Sequence, residues 1–142
     1  MHFSDNEKIV NQKDKLEKLR PILNHLKNIF NKVNKEEKLS VDQQIIPFKG
    51  RNCLKQYNPQ KPHKWGYKDF ILAGVSGFCY DFEIYAGGQD NVMVEDEIDC
   101  GASGNVVIRL SRSIEPFVNH KLYFDNYFNS IILQYSLAKK GI

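Results

Sequence analysis

The sequence is short of cysteine: it has only Cys53, Cys79 and Cys100, and no two form a Cys-x-x-Cys pair. That spacing excludes a zinc knuckle, and an odd, scattered set offers no disulfide framework. Free thiols in a reducing compartment are the expected state, which fits cytoplasm or nucleus. Long apolar runs are missing too, so no segment is expected to cross a bilayer. The start, Met1-His2-Phe3-Ser4-Asp5-Asn6-Glu7, holds no signal-peptide core. Acidic residues are absent from two stretches: between Asp42 and Asp69, and from Asn126 to Ile142.

What is present describes one ordinary globular domain. The 142 residues suffice for a single core, and 42% hydrophobic with 26% charged residues is unexceptional. A formal charge of +3 does not by itself require a nucleic-acid partner. Its distribution is more telling. Lys49, Arg51, Lys55, Lys61, Lys64 and Lys68 follow Asp42 with Tyr57 and Trp65 among them, whereas residues 81–99 are acidic. Such a division gives a positive binding face and a negative far side. A lone carboxylate in a strand beside a basic, aromatic-bearing arm suits a metal meeting a polyanion. The plainer alternative is a strand and loop with a solvated basic face.

The pattern predicts a frayed polar start over residues 5–14, then an apolar stripe at Leu16, Leu19, Leu23, Leu26, Phe30 and Val33 in helical steps. Pro21 divides it into a short turn ending near Arg20 and a helix from about Pro21, packed on the domain's own sheet. Residues 34–38 form a solvated loop. Leu39–Ile46 is the first strand, with Leu39 and Val41 inward and Asp42 on the other face. Pro47 stops its pairing. The basic segment to Gly66 is irregular. Tyr67–Ala73 and Phe78–Tyr85 predict a hairpin, with Asp81 and Glu83 as outward charges. Residues 86–103, including Asp90, Glu95, Asp96, Glu97 and Asp99, read as a surface loop without calcium-loop spacing. Gly104–Pro116 is expected as a helix, Lys121–Asp125 as a strand, and a last helix from Asn126 or Tyr127 with Phe128, Ile131, Ile132 and Tyr135 on its core side. By pattern alone this is an α and β protein with a mixed sheet.

Two blocks carry a resemblance. Leu39-Ser40-Val41-Asp42-Gln43-Gln44-Ile45-Ile46-Pro47-Phe48-Lys49-Gly50-Arg51, followed by Leu54, Tyr57, Pro59 and Lys61-Pro62-His63-Lys64-Trp65-Gly66, resembles the first catalytic block of the piggyBac-type transposases and piggyBac-derived proteins. Asp125-Asn126-Tyr127-Phe128-Asn129-Ser130 is similar to their Asp-Asn-x-Phe-x-Ser block. The blocks come in the family's order, and the likeness covers most of the chain from about Pro21. Gln43 stands where many relatives carry glutamate, a tolerated variation.

The resemblance implies an α/β, ribonuclease-H-like (DDE transposase) core, truncated, with a mixed sheet and a preceding helix. Residues 1–38 become a helical lead-in and 39–142 the first part of the catalytic domain. It implies that Asp42 and Asp125 are catalytic and bind metal, Mg²⁺ or Mn²⁺, in DNA cleavage and strand transfer during cut-and-paste transposition. Lys49, Arg51, Lys61 and Lys64 would clamp phosphates, and Tyr57 or Trp65 could stack on an unpaired base, although Trp65 is expected to anchor core or loop. DNA is the implied partner, with room for a homodimer, a nuclear location, no membrane and no small-molecule substrate. The family's third acidic residue has no counterpart from Asn126 to Ile142, so a weakly held metal and little or no catalysis by this chain alone are expected. The alternative is a domesticated DNA-binding or protein-interaction module with relic carboxylates. His63 and His120 are expected as surface or capping residues, and Ser130 has no paired base to make it a nucleophile.

Overall fold

The computed structural model describes residues 14–87 and 94–142. Residues 5–13 of the polar start and residues 88–93 of the acidic stretch, Asp90 among them, lie outside it. A short 3₁₀ turn, Glu17–Leu19, leads into α1, Arg20–Phe30, with Pro21 in the first turn where its missing N–H costs nothing. The strands are β1 (Lys38–Pro47), β2 (Gln56–Tyr57), β3 (Trp65–Gly74), β4 (Cys79–Ile84) and β5 (Lys121–Phe124). Helices α2 (Gly101–Ser111) and α3 (Ile131–Lys139) complete the order.

β3 is the strand on which the sheet is assembled. It runs antiparallel to β1 from Leu39 opposite Gly74 to Pro47 opposite Gly66. With β1 along one edge, β2 and β4 share the other, β2 at Trp65–Gly66 and β4 at Asp69–Ala73. β1 then takes β5 as a parallel neighbour, Lys38 opposite Lys121 through Val41 opposite Phe124. A parallel neighbour needs a crossover, and α2 lies within it. The order β4-β3-β1-β5, with one parallel pair in an otherwise antiparallel sheet, is ribonuclease-H-like. Two glycines are needed for it. A Cβ at Gly66 would run into the Ile46 carbonyl of β1, and Gly77, at φ +82°, turns the β3–β4 hairpin.

Alternation in β1 supplies the core. Leu39 and Val41 are buried beside Phe70 and Leu72 of β3, and Val106, Val107 and Leu110 of α2 with Leu133 and Leu137 of α3 cover them. The Phe128 ring meets Phe70 edge-on at 5.9 Å. α1 is held more lightly and buries none of its residues fully. Phe30 packs edge-on against Phe78 and Phe82, and Lys27 Nζ reaches Asp81 at 3.3 Å.

Several expectations need correction. The last helix starts at Ile131, because Asp125 to Asn129 make turns and Ser130 Oγ then accepts the Leu133 N–H at 3.1 Å as N-cap. Its inward residues are Leu133, Ser136 and Leu137, whereas Ile131, Ile132 and Tyr135 face solvent. α2 begins three residues ahead of Gly104 and ends well before Pro116. Asp99, read as a loop acid, accepts from the Gly101 N–H at 2.9 Å and the Asn105 amide at 2.7 Å, tying down that end. Asp81 and Glu83 are not solvated charges. A register shift in the β3–β4 ladder leaves both Tyr80 and Asp81 buried, and Glu83 takes a two-pronged bond from Arg109 of α2 at 2.7 and 2.6 Å.

Asp69 is the group the fold tolerates least. It sits inside β3 opposite Gln44 and Ile84, is 8% exposed, and leaves Oδ1 without a hydrogen-bond partner among the described residues. Burial pushes its carboxyl up to about 6 from the usual 3.8. Between those values the folded chain binds more protons than the unfolded one, so this group withdraws stability as pH rises through 6. Asp69→Asn should therefore raise Tm at pH 8, by on the order of 1–2 kcal/mol of stability, and do little below pH 4. Thermal melts at the two pH values check it; a pH-independent difference would refute the account.

Candidate functional site

Asp42 and Asp125 each follow the last paired residues of the parallel ladder, Val41 opposite Phe124. Val41 points into the core, so Asp42 turns to the other face, and Asp125 leaves β5 at the same level. Both aspartates are exposed. Each gives one oxygen to nearby backbone: Asp42 Oδ1 accepts from the Gln43 N–H at 2.7 Å, and Asp125 Oδ1 accepts from the Tyr127 N–H. Their second oxygens have no donor among the described residues and stay free for a ligand.

Two hard carboxylate oxygens suit Mg²⁺ or Mn²⁺, which accept one or two protein carboxylates and complete their shell with water and phosphate oxygens. Among the described residues no group of three or more His, Cys, Asp or Glu side chains is gathered for a metal. Asp42 and Asp125 are the residues that would hold such an ion. A cavity of about 610 Å³ lies elsewhere, between α1, β4 and α2, and takes in neither aspartate.

The basic arm starts five residues beyond Asp42, roughly 16 Å along an extended strand. Asn58 organises its turn: its N–H donates to the Lys64 carbonyl at 2.7 Å and its own carbonyl accepts from Lys61 N–H at 3.4 Å. Phe48 stacks on Tyr67 at 4.9 Å, and Leu54 is buried as the arm's anchor. Lys49, Arg51 and Lys64 are exposed, Lys61 is half-buried, and none has an ion-pair partner among the described residues. Trp65 is no core anchor. It stands 51% exposed beside Tyr57, ring centroids 4.7 Å apart, with Lys55 Nζ 5.0 Å above its face. Sheet pairing of β2 with β3 sets the two rings side by side. His63 is exposed, and His120 Nδ1 donates to the Glu36 carbonyl at 2.9 Å, a tether rather than a proton carrier. Ser130 is spent on its cap.

Two features escaped the sequence reading. Asp69 had a visible signal, a single acid at the head of the apolar run Phe70-Ile71-Leu72. Lys68 was counted with the arm, yet it stands apart, half-buried among aromatic rings that only the fold gathers.

No helix among the described residues is long and apolar enough to cross a membrane. A sequence profile of the family described as Transposase IS4 matches residues 1–142. The human PiggyBac transposable element-derived protein 3 is 31% identical over 145 residues, covering 99% of this chain and 24% of that protein. The human PiggyBac transposable element-derived protein 2 is 26% identical, covering 100% of this chain and again 24% of its own length. The chain thus spans about a quarter of these relatives. Among solved structures, the piggyBac transposase in a synaptic complex with hairpin DNA shares the fold at a TM-score of 0.73 and 22% identity, over 86% of this chain and 25% of that one. Matched from Met1 to Ile142 and folded like the transposase of that complex, the chain belongs to the piggyBac-type transposase family.

Proposed function

We propose that Asp42 and Asp125 hold Mg²⁺ or Mn²⁺ against a DNA phosphodiester while Lys49, Arg51, Lys61 and Lys64 grip the strand, as part of the cleavage and transfer chemistry of transposition. The placement of both aspartates just past the last pair of the β1–β5 ladder, Val41 opposite Phe124, carries this reading. Two ionised carboxylates at one sheet level repel each other, and a divalent cation between them removes that cost. Divalent metal use goes with the family in general. Such an ion, when bound, polarises a phosphoryl oxygen and makes its water acidic.

The protein's own part is positioning. Backbone N–H groups fix one oxygen of each aspartate, so the other is presented outward. The arm's cations bind phosphates irrespective of sequence, and the exposed Tyr57–Trp65 pair offers ring faces to an unpaired base. DNA as partner accords with the hairpin DNA in the related transposase complex, and the nucleus is the matching place of action.

Alone, the 142-residue chain should bind DNA without cutting it efficiently. Affinity is expected to fall linearly in log K against log salt, with a slope of about −3 to −4 for four phosphate contacts. Lys49→Ala combined with Lys64→Ala should flatten that slope by about 2, while Asp42→Asn leaves metal-free affinity unchanged or slightly higher. Fluorescence anisotropy in a salt series measures all three; salt-independent binding sinks the arm's role. In a Mn²⁺ plasmid assay the chain should show no robust nicking. Strong nicking lost in Asp42→Ala would instead show that two carboxylates are enough.

A further inference from the structure

Lys68 pairs with Ile45 and so projects to the face of the sheet opposite Asp42, toward α2. Its Nζ lies 4.9 Å from the ring centroid of Phe70, 5.4 Å from Tyr127 and 5.5 Å from Tyr85. The three rings enclose an ammonium that has no carboxylate within ion-pair distance among the described residues. Glu83, the carboxylate on the same wall, is already taken up by Arg109 at 2.6 and 2.7 Å. Burial lowers the pKa of Lys68, the mark of a cation withdrawn from water. Ring faces offset part of that cost, and an anion would offset the rest.

There is room for one. Lys68 opens into a cavity of about 190 Å³ that Ser103, Tyr85 and Tyr127 also line, each bearing a hydroxyl. That space corresponds to about six waters, enough for a hydrated phosphate group and too little for a nucleoside with its sugar. Tyr127 lies two residues beyond Asp125 and gives it a backbone N–H, which sets the cavity one short step from the proposed reaction centre.

We propose that this cavity is a phosphate subsite for a nucleic-acid strand, with Lys68 as its cation and the hydroxyl-bearing Ser103, Tyr85 and Tyr127 as its wall. The subsite does not depend on Asp42 and Asp125 holding a metal, and its test is run without one.

The test is an NMR titration of the ¹⁵N-labelled 142-residue chain with inorganic phosphate and, separately, with a short single-stranded oligothymidine, at constant chloride. Saturable shifts of the Lys68 side-chain nitrogen and of the Ser103 and Tyr127 amides are expected in both arms. Lys68→Met should abolish the phosphate shifts, weaken the oligonucleotide by on the order of five- to tenfold, and lower the salt slope by about one. Lys68→Arg should keep all three. Wild-type shifts with inorganic phosphate but none with the oligonucleotide would remove the strand from the proposal. Absence of shifts in both arms, or a chloride titration moving the same resonances equally, would overturn the subsite, and both readings stand even if Lys68→Met fails to fold.

Discussion

The parallel pairing of β1 with β5 is the contact on which the rest depends, because it sets the backbone of the first block of the sequence against that of the second. Its four residue pairs are short for so long a connection. Support comes from just upstream, where Lys121 N–H donates to the Glu37 carbonyl at 2.7 Å and Lys121 Nζ reaches the Glu37 carboxylate at 2.5 Å. His120 adds its bond to the Glu36 carbonyl. From below, α2 and α3 press Val107, Leu110 and Leu133 against Leu39 and Val41. Burial of that apolar face offsets the entropy of closing the crossover, which a ladder of four pairs could not do unaided.

Charge divides along the same lines. Several acids are engaged in construction. Glu36 accepts from Ser76 and Tyr80, Asp81 and Glu83 tie β4 to α1 and α2, and Asp99 holds the start of α2. Glu97 is gripped by Arg112, with Lys140 3.7 Å away, and these cations hold its carboxyl down to about 2. Asp42 and Asp125, by contrast, spend only one oxygen each, on backbone beside them. The arm's cations are likewise left without acidic partners among the described residues. Opposite charges are thus kept available, acids just past the β1–β5 ladder and cations beyond the end of β1.

Much of this was legible because it is local. Alternation along Leu39-Ser40-Val41-Asp42 announced a strand with an outward aspartate, Pro21 marked the start of α1, and Gly-rich punctuation placed the β3–β4 turn. The reading failed where a side chain competed with the period. Ile131, Ile132 and Tyr135 look like a core stripe, yet the helix capped by Ser130 packs through Leu133 and Leu137 and leaves them outside. Asp81 and Glu83 alternate as solvated charges should, yet the bulge and the cations of α1 and α2 enclose them.

Periodicity, proline and glycine act over a few residues, so the sequence by itself determined the four longer strands, most of α1 and the two motif blocks, but not the short β2 inside the basic arm. Which of its carboxylates remain free was decided only by tertiary structure. Whether an acid is buried like Asp69, paired like Glu83 or open like Asp42 depends on side chains brought from distant positions, and their desolvation and Coulomb energies do not exist until the sheet has closed.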